Sequence, residues 1–135
     1  TQPESSAASD VYKRQDYWLK RGTPKTVAMA DKILSNIIEF DPDAEFNYNK
    51  FYIGLKFNGR SKNYSIFRPK KNFLAVEIKL PQTEENDEII NQAEITTLDY
   101  SKKYGNYRLR INERELSEKL ETIKKLIFSA KENFG

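Results

Sequence analysis

A chain of 135 residues with 38% hydrophobic content is long enough for one hydrophobic core and too short for two ordinary domains. It contains no cysteine and no histidine, which removes disulfides, thiolate nucleophiles, imidazole general bases and most zinc chemistry by inventory. The net charge of +3 conceals a block: Lys50 to Lys71 carries seven basic side chains and no acidic one, whereas residues 16–49 carry four and six and residues 72–135 carry ten and twelve.

Thr1 to Gln15 is small and polar, with no period that would bury a face, and is expected to be disordered. One admissible coding of Asp10 to Gln15 resembles the end of a transposase adapter used in sequencing libraries, so residues 1–15 are read as a translated artefact and residues 16–135 as a single domain. Tyr17, Trp18 and Leu19 suggest a short helical turn whose indole packs on the core. Thr23 before Pro24 is a helix start, and Val27, Ala30, Ile33, Leu34, Ile37 and Ile38 predict a helix to about Phe40. Asp41-Pro42-Asp43 ends it.

A strand follows, with Phe51, Ile53, Leu55 and Phe57 alternating with Tyr52, Gly54 and Lys56. Asn58-Gly59 supplies a two-residue hairpin. That loop sets Phe51 opposite Ile66, Ile53 opposite Tyr64 and Leu55 opposite Lys62. The second face then collects Lys50, Tyr52, Lys56, Asn63, Ser65 and Phe67, with Gly54 leaving room for a ligand or another backbone. After the turn at Pro69 to Asn72, a third strand points Leu74, Val76, Ile78 and Leu80 inward and Phe73, Ala75, Glu77 and Lys79 outward. Thr83 caps a short acidic helix to about Ala93. Asp99 to Gly105 reads as a loop, and Tyr107, Leu109 and Ile111 mark a fourth strand with Arg108 and Arg110 on its other side. Asn112 and Glu115 have capping-box spacing before a last helix carrying Leu116, Leu120, Ile123, Ile127, Ala130 and Phe134. The expectation is an α+β domain: an antiparallel sheet of about four strands, a β-meander near residues 46–80 plus a strand near 106–111, packed against N- and C-terminal helices.

Asp16-Tyr17-Trp18-Leu19, Gly22-Thr23-Pro24, Tyr48 to Leu55, Asn58-Gly59-Arg60, Phe67 to Lys71, Leu80-Pro81 and Tyr107-Arg108-Leu109 carry a resemblance. Together they resemble a bacterial domain-of-unknown-function family often labelled "predicted transport protein", over nearly all of Asp16 to Phe134. The resemblance implies a compact α+β module that commonly sits at the C-terminal end of larger proteins, some with nuclease-like or restriction-type N-terminal domains. It carries over no catalytic residues. No run of about 18 apolar residues and no signal-like start is present, so a soluble, cytoplasmic protein without a membrane partner is expected.

Phosphates are neutralised by Lys and Arg, and exposed aromatics stack on bases, so the basic, aromatic face points to a non-enzymatic module for nucleic acid, a nucleotide or another phosphate-bearing ligand. The ligand-binding residues expected are Lys50, Tyr52, Lys56, Arg60, Asn63 and Lys70, with Arg68 and Arg108 at the rim. No catalytic residue, metal ligand or cofactor is assigned, and an N-terminal nuclease-like domain is an expected partner. Two alternatives use the same chain differently. Glu77-Ile78-Lys79 matches the carboxylate and ammonium of metal-dependent nucleases if Asp43 or Glu45 supplies a second acid. A protein-docking domain would instead expose an apolar patch around Trp18 and Phe134. A carboxylate pair around a cleft would favour catalysis, and a broad basic face without paired acids would favour binding.

Overall fold

Thr23 has the extended backbone of an N-cap, and its side chain and that of Thr26 exchange bonds with each other's backbone N–H groups, which starts the first long helix at Pro24. The computed structural model describes residues 15–134; the segment expected to be disordered, residues 1–15, lies outside them except for Gln15, which opens a helix. In chain order the helices are α1 (Gln15–Arg21), α2 (Pro24–Ile37), α3 (Glu84–Gln92) and α4 (Glu113–Asn133). The strands are β1 (Ala44–Tyr48), β2 (Ile53–Phe57), β3 (Arg60–Ser61), β4 (Ser65–Pro69), β5 (Leu74–Lys79), β6 (Thr96–Ser101) and β7 (Asn106–Ile111).

The α+β expectation holds, but the sheet has seven strands rather than about four. Every pairing is antiparallel, in the order β1-β2-β4-β5-β7-β6, with β3 an offshoot of β2. Two of the additional strands are the edges. Thr96 to Asp99 in β6, within the segment read partly as a loop, are all exposed, and an edge strand without a buried face has no alternation to betray it. The third, β3, is what remains of the hairpin arm where the ladder breaks.

That break corrects the expected register. Asn58 and Gly59 take positive φ (51° and 79°) and set Lys56 opposite Ser61 and Phe57 opposite Arg60, as a two-residue loop dictates. Beyond Ser61 the pairing slips by three residues, and Ile53 lies opposite Phe67 instead of Tyr64. Phe67 is consequently fully buried, while Ile66 faces the other side of the sheet. Asn63 fills the gap: its Oδ1 accepts the Leu55 N–H at 2.8 Å. The space at Gly54 is thus occupied by Asn63, since a Cβ there would collide with that Oδ1 and lie 3.1 Å from Tyr52 Cε2.

Both long helices cover one face of the sheet. Val27, Ala30, Ile33 and Ile37 of α2 meet Leu116, Ile123, Ile127 and Ala130 of α4 over Val76, Ile78, Leu109 and Ile111, all buried. Ile38, expected on this stripe, lies past the helix end and is exposed. Trp18 of α1 is buried, as expected of an indole packed on the core, and its Nε1–H donates to Asn49 O at 3.1 Å. Asp41 is buried beside Tyr64, accepting its hydroxyl at 2.8 Å and the Lys62 ammonium at 3.6 Å. No helix among the described residues is long and apolar enough to cross a membrane.

Candidate functional site

Alternation assigns the other face of the sheet. With Leu74, Val76, Ile78, Tyr107, Leu109 and Ile111 buried under the helices, Ala75, Glu77, Lys79, Asn106, Arg108 and Arg110 must point the opposite way. Ile66 and Arg68 of β4 join them, opposite Glu77 and Ala75. Neither long helix lies over this side. A trough of about 950 Å³ runs across it, within the range of ligand-sized clefts.

The polar side chains of its floor are tied together. Arg68 Nη1 pairs with Glu77 Oε2, Arg68 Nε donates to Phe51 O at 3.1 Å, and Asn106 Nδ2 donates to Glu77 Oε1 at 3.2 Å. Arg108 is the register partner of Glu77 on β7. Four cations line the trough, Arg68, Lys70, Lys79 and Arg108, against one carboxylate, Glu77. Burial and then the neighbouring Arg108 charge push the Arg68 guanidinium below its ordinary value. Burial, followed by the charges of Arg68 and Arg21, does the same to Lys70. Positive charge is therefore in excess, and an arriving anion would relieve the repulsion.

The walls are aromatic. Tyr52 lies 6.0 Å from the Arg68 guanidinium, and Phe73 is backed by the Arg110 guanidinium at 4.1 Å from its ring centre. Phe51 and Tyr104 stand at the margins and are largely exposed. Lys79 Nζ donates to Tyr104 O at 2.9 Å, which fastens the β6–β7 turn to the rim.

Of the eight ligand-binding residues expected from sequence, five line this trough: Tyr52, Asn63, Arg68, Lys70 and Arg108. Three do not. Lys50 is exposed with its ammonium over the Phe51 ring, Lys56 faces Glu45 at 3.9 Å on the far edge, and Arg60 is exposed at the hairpin tip. The rest of the basic segment is spent on structure. Lys62 serves Asp41, and Lys71 donates to the carbonyls of Lys20 and Gly22 at 2.7 and 3.0 Å, satisfying the C-terminal end of α1. Phe51, Phe73, Lys79, Tyr104 and Asn106 were not among the expected binding residues. Alternation did turn Phe73 and Lys79 outward, but Tyr104 and Asn106 reach the trough only through the sheet order.

Glu77 is the sole carboxylate among the lining residues, Glu45 pairs with Lys56 at the other end of the sheet, and no group of three or more His, Cys, Asp or Glu side chains is placed to hold a metal among the described residues. Trp18 is buried and Phe134 packs on Tyr64 at 6.1 Å, so neither forms an exposed apolar patch. No family model, curated protein or solved structure matches the chain.

Proposed function

We propose that this domain is a non-enzymatic binding module whose open sheet face takes a phosphate-bearing ligand, nucleic acid foremost. One observation carries the reading: a trough of about 950 Å³ in which four cationic side chains and four aromatic ones surround a single carboxylate that is already paired. Guanidinium groups grip phosphate oxygens in pairs, ammonium groups add point charge, and the rings offer faces to bases. The resemblance to C-terminal modules adds the setting, an accessory domain of a larger nuclease- or restriction-type protein.

The test is binding of labelled DNA and RNA to the protein across a salt series. The logarithm of the affinity falls linearly with the logarithm of salt concentration, with a slope set by the number of phosphates neutralised. Absence of binding at low salt sinks the proposal.

A further inference from the structure

We infer that the ligand of the trough is a single-stranded nucleic acid, with bases stacked on Phe51 and Tyr104 and the intervening backbone held by Arg68 and Arg108. The inference rests on the binding reading above and narrows it. Six large hydrophobic side chains are exposed among the described residues, and the two most exposed, Phe51 at 63% and Tyr104 at 58%, both border the trough. Exposed rings of this size cost hydrophobic free energy unless something covers them. Each directly follows a lysine whose ammonium lies over its ring, Lys50 at 5.5 Å from the Phe51 centre and Lys103 at 5.2 Å from that of Tyr104. A cation covers one face of a ring and leaves the other for a base, while its charge meets the adjoining phosphate.

The topology separates these two rings. Phe51 precedes β2 and Tyr104 lies in the turn between β6 and β7, with β4 and β5 intervening in the sheet order. At about 4.8 Å per strand, β2 and β7 are about 14 Å apart. One mononucleotide has one base and cannot occupy both ends. A duplex has many bases, but their faces are stacked on one another and cannot reach a side-chain ring. Polyphosphate has charge and no ring at all. Of these, an unpaired strand several nucleotides long presents separate bases to the two rings and a backbone to Arg68 and Arg108 between them. Glu77 in the floor offsets part of the positive charge, which disfavours a ligand that relies on charge alone.

The experiment compares a labelled oligothymidylate single strand, a duplex of the same length, thymidine monophosphate and inorganic polyphosphate at one low salt concentration. The single strand is expected to bind roughly tenfold or more tightly than each of the others, and Phe51→Ala and Tyr104→Ala each to weaken it by roughly tenfold, the loss of one stacked base. Phe128→Ala, which removes an exposed ring from α4 on the covered side of the sheet, serves as the control and changes nothing. Duplex, monophosphate or polyphosphate binding as tightly as the single strand, or unchanged affinity in both trough variants, overturns the inference while leaving a phosphate-binding module standing. No binding by any of the four overturns both.

Discussion

The Leu55 N–H donates to Asn63 Oδ1 at 2.8 Å, so a side-chain amide takes the place of a backbone carbonyl where the β2–β4 ladder changes register. Gly54 makes this possible, because a Cβ at that position would overlap the same Oδ1 and sit 3.1 Å from Asn63 Cγ. Gly54→Ala is expected to expel the amide and leave the buried Leu55 N–H without its acceptor, destabilising the domain by about 1–3 kcal/mol. Asn63→Ala should cost a similar amount, and the double variant little more than either alone, since both remove one bond. Urea denaturation midpoints of the three variants check this.

The same seam shows where the sequence was legible and where it was not. Alternation in β5 and β7 placed Glu77, Lys79 and Arg108 on the open face correctly, because both strands have one side packed against helices and their period is unbroken. Asn58-Gly59 specified the first two pairs of its hairpin and nothing further, since a turn fixes register only until a bulge absorbs residues. The slip exchanged Ile66 and Phe67 between the faces. Basic residues of one sequence segment then diverged, Lys62 to Asp41 and Lys71 to the α1 carbonyls, whereas Lys79 arrived from the end of β5 and Tyr104 from the β6–β7 turn. Charge clustering along a chain constrains a surface only after the sheet order is known.

Arg68 and Glu77 form the central tie of the trough floor, with side chains 30% and 13% exposed. Arg68→Ala leaves the mostly buried Glu77 carboxylate to the Asn106 amide and should cost about 1–3 kcal/mol, less than for a fully buried pair. Removing both charged groups in Arg68→Ala, Glu77→Ala should recover part of that loss. A double-mutant cycle by chemical denaturation reads the coupling, and additive losses would show that the pair contributes nothing jointly.

Alkaline pH should weaken the fold through three tyrosines. Burial, reinforced by the Asp31 charge, pushes Tyr48 up to about 12 from the ordinary value of 10.0, and burial together with the hydrogen bond to Asp87 pushes Tyr107 up to about 12. Burial and the bond to Asp41 raise Tyr64 as well. Above the unfolded value the unfolded chain releases phenolic protons that the folded chain keeps. The contribution of these groups is therefore whole below about pH 10 and is lost as pH rises towards about 12. Urea midpoints at about pH 9 and about pH 11 should differ in that direction, and Tyr107→Phe should flatten the decline.

Ligand binding should separate the trough cations from the rest of the basic segment. Arg108→Ala and Lys70→Ala are each expected to weaken binding of a labelled single strand and to reduce the salt slope by about 0.7, the loss of one phosphate contact. Lys56→Ala and Arg60→Ala remove equal charge from positions outside the trough and should leave the slope unchanged at ordinary ionic strength, where screening confines charge effects to about 8–10 Å. Lys70 adds a pH signature. Its ammonium is held below the ordinary lysine value by desolvation and by Arg68 and Arg21, so it discharges before pH reaches that ordinary value of about 10.4. A bound phosphate favours the charged form, which means that binding takes up protons in that range and affinity falls as pH increases. Titration calorimetry in buffers of different ionisation enthalpy measures that uptake directly, and Lys70→Ala should abolish it while Lys56→Ala preserves it.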